Sequence, residues 1–395
     1  MESTFKLSKY RYVVLGLATA ALIINFWAWS LLGPIASKLA TELSLNPVAL
    51  SIMLAVPIIV GSLGRIPLGM LTDRYGGHKV FSILCFLAVL PVIALAYADT
   101  YSGLIAAGIF LGISGASFAV GIPFVNAWFP PEKRGLVLGI YSMGNAGTAV
   151  SGFLTPFLVQ TFDRRGAYLI VAILLFIMGI LMATWGRNAP SWSKASGSLL
   201  QPLITAARDR ATWDLSIIYA ITFGAFVAFG VYLPVLLKSS YELDLSDAAA
   251  RAAGFVLLAT LARPLGGWLS DKFGGKNVTR IVLFTITVLA TAIALQPELT
   301  PLTTVLYLSL SVALGCGNGA VIALVSKLSS HGTVGSVTGI VGACGGLGGF
   351  FPPLVLGITY QATHSYYLSL MMLALSSLLV FLYINHRFRN VKIAG

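Results

Sequence analysis

The chain has 395 residues, 57% of them hydrophobic and only 10% charged, and its mean hydropathy is +0.89. Soluble globular domains carry about 25% charged residues, so too few are present to cover a water-facing surface; this excludes a soluble enzyme, a disordered chain and a disulfide-framed secreted domain. The net charge of +12 would suit nucleic acid if the basic residues clustered on one soluble face, but they fall in short loops between apolar runs.

A helix crossing a bilayer takes roughly 20 mainly apolar residues. Twelve such stretches follow one another: 12–33, 48–71, 80–98, 102–126, 136–160, 167–186, 212–237, 250–270, 279–296, 301–325, 333–358 and 366–385. The first follows Lys6, Lys9 and Arg11 as a signal peptide would, but it is too long for a cleaved apolar region and reads as a retained helix. The longest polar stretch, 187–211, parts the sixth from the seventh. The expected organisation is therefore a six-helix bundle over 1–186, a linker over 187–211 and a second six-helix bundle over 212–395. With a cytoplasmic N-terminus, 18 of the 25 Lys and Arg residues fall on the cytoplasmic side and five on the other. That bias predicts an all-α integral membrane protein with both termini inside. Cys85, Cys316 and Cys344 lie in apolar stretches without metal-ligand spacing, so they read as small buried apolar residues. No cofactor and no metal are expected.

The two halves repeat. Arg65-Ile-Pro-Leu-Gly69-Met-Leu-Thr-Asp73-Arg74-Tyr-Gly76-Gly77 aligns with Arg263-Pro-Leu-Gly-Gly267-Trp-Leu-Ser-Asp271-Lys272-Phe-Gly274-Gly275, each matched pair 198 residues apart. Paired six-helix repeats with a site near the midplane are the plan of a membrane carrier. Gly69 and Gly267 permit close helix approach. Asp73 with Arg74, and Asp271 with Lys272, stand at cytoplasmic helix ends. There a carboxylate can meet a helix N-terminus or a basic loop and latch the cytoplasmic side. The Gly-x-Leu-x-Asp-Arg/Lys-x-Gly-Gly segments resemble the signature loop of the major facilitator superfamily. That resemblance implies twelve helices in two pseudo-symmetric six-helix bundles, and it is silent on substrate.

Ionisable residues at mid-membrane are functional by default. All 13 acids and four histidines fall in loops or at the ends of the stretches; Arg65 and Arg263 alone lie within them. A snorkelling arginine is the plain alternative. Their matched positions in two repeats favour a clamp on a small oxyanion, for which a permanently charged planar fork is suited.

Glycine-rich helices come next: Gly139-Ile-Tyr141-Ser142-Met-Gly144-Asn145-Ala-Gly147, Gly315-Cys-Gly317-Asn318-Gly319, and Gly339-Ile-Val-Gly342-Ala-Cys-Gly345-Gly346-Leu-Gly348-Gly349-Phe-Phe-Pro352. Such density allows backbone contact and sliding between helices in lipid; Gly144, Gly147, Gly345, Gly346, Gly348, Gly349 and Asn318 in these segments are read as gating positions, with simple helix packing the plain alternative. The first and last of these segments resemble the two signature helices of the nitrate/nitrite porter family. Over nearly the whole chain, that resemblance implies that Arg65 and Arg263 hold the anion. It implies further that Phe118 is a pocket aromatic, that Tyr219 and Phe223 supply a hydroxyl donor and a packing ring, and that Asn145 places an amide near the substrate. Phe26 is a weaker match. Tyr141 and Ser142 depart from the pattern, standing where some members carry glycine.

The reading is a multi-pass carrier of the cell (inner) membrane, a monomer and not an enzyme, exchanging nitrate for nitrite by alternating access without nucleic-acid partners. Its competitors are proton-coupled nitrate symport, a carrier of another small anion such as oxalate, formate or cyanate, and an anion channel.

Overall fold

The computed structural model describes residues 2–194, 198, 200–295, 298–330 and 332–389. Linker positions 195–197 and 199, together with His331 and Lys392, lie outside the described residues. Sixteen α-helices, three short 3-10 helices and no strand occur among the described residues; the α-helices are α1 (Glu2–Trp29), α2 (Ala36–Glu42), α3 (Pro47–Tyr75), α4 (Gly77–Tyr97), α5 (Tyr101–Gly115), α6 (Ser117–Asn126), α7 (Arg134–Ser142), α8 (Gly147–Trp185), α9 (Gln201–Arg208), α10 (Arg210–Tyr241), α11 (Leu245–Leu261), α12 (Arg263–Phe273), α13 (Gly275–Ala294), α14 (Pro301–Leu328), α15 (Val334–Thr363) and α16 (Tyr367–Arg389). Helix is the form a spanning segment must take, because lipid offers no partner for exposed backbone groups. Helix starts carry their own signals. Asn46 accepts from Ala49 N at 2.8 Å ahead of Pro47, and Thr100 accepts from Gly103 N at 3.2 Å. Gly76 (φ +84°) and Gly274 (φ +82°) turn the chain sharply between α3 and α4 and between α12 and α13.

Eleven segments among the described residues are long and apolar enough to cross a membrane, against twelve expected from the sequence. The difference has one source. The stretches at 136–160 and 167–186 join in a single run of 55 residues, Pro131–Trp185, which as straight helix would reach about 80 Å at about 1.5 Å per residue, far beyond the ~30 Å apolar core of a bilayer. Asp163 breaks it, with φ 57° and ψ −176° inside α8. The run thus holds two crossings.

The chain forms two compact units: Met1–Pro130 with Ile140–Asp209 and Ser329–Ala343, and Pro131–Gly139 with Arg210–Leu328 and Cys344–Gly395. The core of the first joins α1, α4, α5 and α8 through Trp27, Leu31, Val92, Leu111, Tyr168 and Leu175. Its aromatic polar tips are satisfied: Trp27 Nε1 donates to Thr155 Oγ1 at 2.9 Å and Tyr168 Oη to Leu31 O at 3.2 Å. In the second unit the Phe229 and Phe255 rings stack at 5.3 Å and Ser377 Oγ donates to Leu283 O at 2.9 Å. There Asp214 fastens α10 to α16, accepting from Tyr383 Oη at 2.6 Å and pairing with Arg387 at 3.5 Å. Large apolar side chains such as Phe110, Phe157 and Ile281 point outward, as a lipid-facing surface allows.

Candidate functional site

In the first unit, Arg65 sits in the middle of α3 with no exposed surface. Its Nη1 donates to Gly342 O at 2.7 Å and its Nε to Gly115 O at 3.4 Å. The Phe118 ring lies beneath the guanidinium, centroid 5.6 Å from Cζ, within the range of a cation–π contact. Phe118 is stacked in turn by Tyr141 at 6.0 Å and 28°, and the Tyr141 hydroxyl donates to Ser117 O at 3.1 Å and Phe118 O at 3.3 Å. Tyr141 therefore buttresses the aromatic under Arg65. Its bulk is accommodated by Gly121, where a Cβ would meet the Tyr141 ring.

The second unit holds Arg263 at the start of α12, likewise without exposed surface. Two rings of α10 flank its guanidinium, Phe226 at 4.8 Å and Phe223 at 5.6 Å. Tyr219 stacks on Phe223 at 4.9 Å and 11°. Gly345 of α15 makes room for this stack, since a Cβ there would lie 2.8 Å from Tyr219 Cε1. Gly348 and Gly349 press on Ala220 and Val227 of the same helix, and Gly346 is buried.

The remaining residues named from the sequence fall nearby or elsewhere. Phe26 is buried against Trp29, ring centroids 5.1 Å apart. Gly144 and Gly147 bring the turn after α7 onto α1, where added Cβ atoms would meet Leu22 and Ile23 O. Asn145 is buried in that 3-10 turn, and its amide nitrogen donates to Ser142 O three residues back at 2.7 Å. Asn318 is buried in α14 with both amide atoms lacking a hydrogen-bond partner.

The repeated loop motif makes the same contact twice. Asp73 accepts from Gly335 N at 2.8 Å, Ser336 N at 2.7 Å and Ser336 Oγ at 2.8 Å, all in the first turn of α15. Asp271 accepts from Gly135 N at 3.1 Å and Leu136 N at 2.9 Å in the first turn of α7. A carboxylate at a helix N-terminus satisfies orphan N–H groups and meets the positive end of the helix dipole. Glycines bring the backbones together: a Cβ on Gly69 would strike Gly335 O, and one on Gly267 would strike Gly135 O. Lys272 lies over the Trp268 and Phe273 rings at 5.1 and 5.3 Å, and Arg74 is half-buried. The cation on Asp271 is Lys327, at 3.5 Å, a partner 56 residues away that sequence spacing does not reveal. Phe226, nearer Arg263 than Phe223 is, was also missed; it follows Phe223 at i+3 and so shares its helix face.

An all-helical chain with these paired motifs is the architecture of a multi-span membrane transporter, not an enzyme. The chain belongs to the major facilitator superfamily, in its nitrate/nitrite porter family: the Major Facilitator Superfamily model matches residues 18–353. The chain is similar to the probable nitrate/nitrite transporter NarK2 of Mycobacterium tuberculosis, 43% identical over 367 residues that cover 92% of this chain and 93% of the relative. It is 37% identical over 364 residues to the nitrite extrusion protein of Bacillus subtilis, covering 92% and 91%. The probable nitrate transporter NarT of Staphylococcus haemolyticus is 37% identical over 377 residues, covering 95% and 97%. Among solved structures, the proton:xylose symporter XylE superposes with TM-score 0.79 at 16% identity, covering 96% of both chains. FucP does so with TM-score 0.77 at 15% identity, covering 97% of this chain and 100% of its own. These two likenesses speak for the fold.

Proposed function

We propose that this chain carries nitrate and nitrite across the cell (inner) membrane by alternating access, as a monomer with both termini cytoplasmic, and that the anion engages Arg65 and Arg263. The observation that carries the reading is a fully buried arginine in each unit, each over an aromatic ring. A guanidinium resting on a ring can still direct its in-plane N–H groups at an oxyanion. Relatives named for nitrate and nitrite transport support the choice of anion. Each buried guanidinium is easiest to carry through a conformational change with an anion bound, so exchange of nitrate for nitrite is the mode we favour. Twelve of the 13 acids lie in loops or at helix ends and the thirteenth, Asp163, at the break inside α8, and none of these is a mid-membrane position suited to a proton relay. Counterflow in proteoliposomes tests the substrate class. Labelled nitrate should accumulate in vesicles preloaded with nitrate or nitrite and not in vesicles preloaded with oxalate, formate or cyanate. Conductance without counterflow would make the protein a channel.

Asp73 and Asp271 act in this reading as latches of the cytoplasmic side. Asp73→Asn and Asp271→Asn keep the shape of the side chain but lose its charge at the α15 and α7 N-termini. Such a charge is worth about 0.3–1 kcal/mol, and up to ~2 kcal/mol when partly buried. Each variant should bind nitrate as the parent does but label faster at cysteines placed along the cytoplasmic ends of α3 and α12. Labelling at the parental rate in both would remove the latch.

A further inference from the structure

Asn318 is 1% exposed in the middle of α14, and neither its amide nitrogen nor its amide oxygen has a hydrogen-bond partner. A buried amide left this way is unfavourable in an apolar interior and is poised to take a partner in the working state. Its helix neighbours define what stands beside it. Gly317 packs on α10, where a Cβ would lie 2.7 Å from Thr222 Cγ2; Gly319 packs on α12, where a Cβ would strike the Arg263 carbonyl oxygen.

The packing layers converge on the same place. Seven residues earlier on α14, Ser311 Oγ donates to Phe255 O at 2.6 Å, and the Phe255 ring stacks on Phe229 of α10. Seven residues are about two helical turns, so Asn318 repeats the face of Ser311. Over the same advance the chain from α11 into α12 passes from Phe255 to Arg263. Helix α10, running the opposite way, passes from Phe229 back to Phe223 and Thr222. Arg263, Phe223, Thr222 and Asn318 thus share one layer of the second unit. The Thr222 hydroxyl is itself fully buried without a hydrogen-bond partner.

We infer that Asn318 is a further anion-binding residue: its Nδ2 hydrogens donate to an oxygen of the oxyanion held by Arg263, and its Oδ1 accepts a hydrogen bond from the Thr222 hydroxyl. The inference rests on the reading that Arg263 binds the anion. A neutral amide suits this place because it adds a directed donor without adding charge to a pocket that already holds a guanidinium. A carboxylate there would repel the substrate, and an apolar side chain would leave an anion oxygen bare.

The test uses the full-length protein, purified in detergent and reconstituted in liposomes, with sodium nitrate as probe. Asn318→Leu removes two orphaned polar groups, so its ligand-free melting temperature should equal or exceed that of the parent. Its nitrate affinity, read from the nitrate-induced rise in melting temperature and from the counterflow KM, should fall about 10- to 150-fold, as loss of a hydrogen bond to a charged group implies. Thr222→Val, which only frees the amide to turn, should lose less. Should the leucine variant fail to fold, Asn318→Ser makes the same comparison with a smaller side chain. Nitrate affinity in the folded Asn318 variant within about twofold of the parent, whatever its melting temperature, would overturn the inference and make Asn318 a packing residue. A parent protein that binds no nitrate would instead overturn the underlying reading of Arg263.

Discussion

Arg65→Lys and Arg263→Lys should each lose nearly all nitrate transport while the protein remains folded. Lysine keeps the positive charge and much of the apolar stem, so a site that needed only charge would tolerate it. The guanidinium does more. At position 65 it donates to Gly342 O and Gly115 O while lying over Phe118, and at 263 it lies between Phe223 and Phe226. A planar group can rest on a ring and still direct N–H bonds within its own plane at an oxyanion; a tetrahedral ammonium cannot. A hydrogen bond to a charged group is worth about 1.5–3 kcal/mol, so losing one weakens binding roughly 10- to 150-fold. Nitrate titration of the purified variants, with thermal unfolding beside it, checks this. Parental affinity in both lysine variants would remove the arginines from the site.

Gly345→Val should be almost as damaging, by a different route. A single added Cβ at 345 already runs into the Tyr219 ring, and valine adds two methyl groups beyond it. Tyr219 is stacked on Phe223, and Phe223 lies over Arg263. The displacement therefore passes along a row of rings to the guanidinium. Overpacking of this kind typically costs 1–3 kcal/mol, so expression and melting temperature should fall modestly. Nitrate transport should fall at least about tenfold if that strain is expressed at the Arg263 pocket. Gly152→Val serves as the control, since nothing stands within 4 Å of a Cβ at Gly152. Equal transport by the two variants would show that the Tyr219–Phe223–Arg263 row is not part of the site.

Periodicity and composition carried the fold a long way. Helices buried in lipid must be long and apolar, and the loops between them gather the charges, so the crossings and the 198-residue repeat could be read before any contact was known. The break at Asp163 was legible too, because Asp163, Arg164 and Arg165 part the apolar stretches 136–160 and 167–186 at the point where the backbone turns. Site residues divide in two. Arg65 and Arg263 stood out because a charge in an apolar stretch is expensive, and Phe118 and Phe223 do lie against them. Contacts that depend on which helices become neighbours were not legible. Gly342 O meeting Arg65, Lys327 meeting Asp271 and Tyr141 stacking on Phe118 join residues with no fixed spacing. Tyr141 is the instructive case. It stands in a glycine-rich helix where some family members carry glycine, and Gly121 on α6 takes up its volume while its ring supports Phe118.

The most direct measurement sets two populations of proteoliposomes side by side, one loaded with nitrite and one with inert buffer, and offers both labelled nitrate from outside. If buried guanidinium groups cross with an anion bound and not empty, nitrate enters the nitrite-loaded vesicles, nitrite leaves in equal amount, and the buffer-loaded vesicles stay near background with or without an imposed pH gradient. Nitrate uptake into the nitrite-free vesicles that follows the pH gradient would contradict exchange and establish proton-coupled transport in its place.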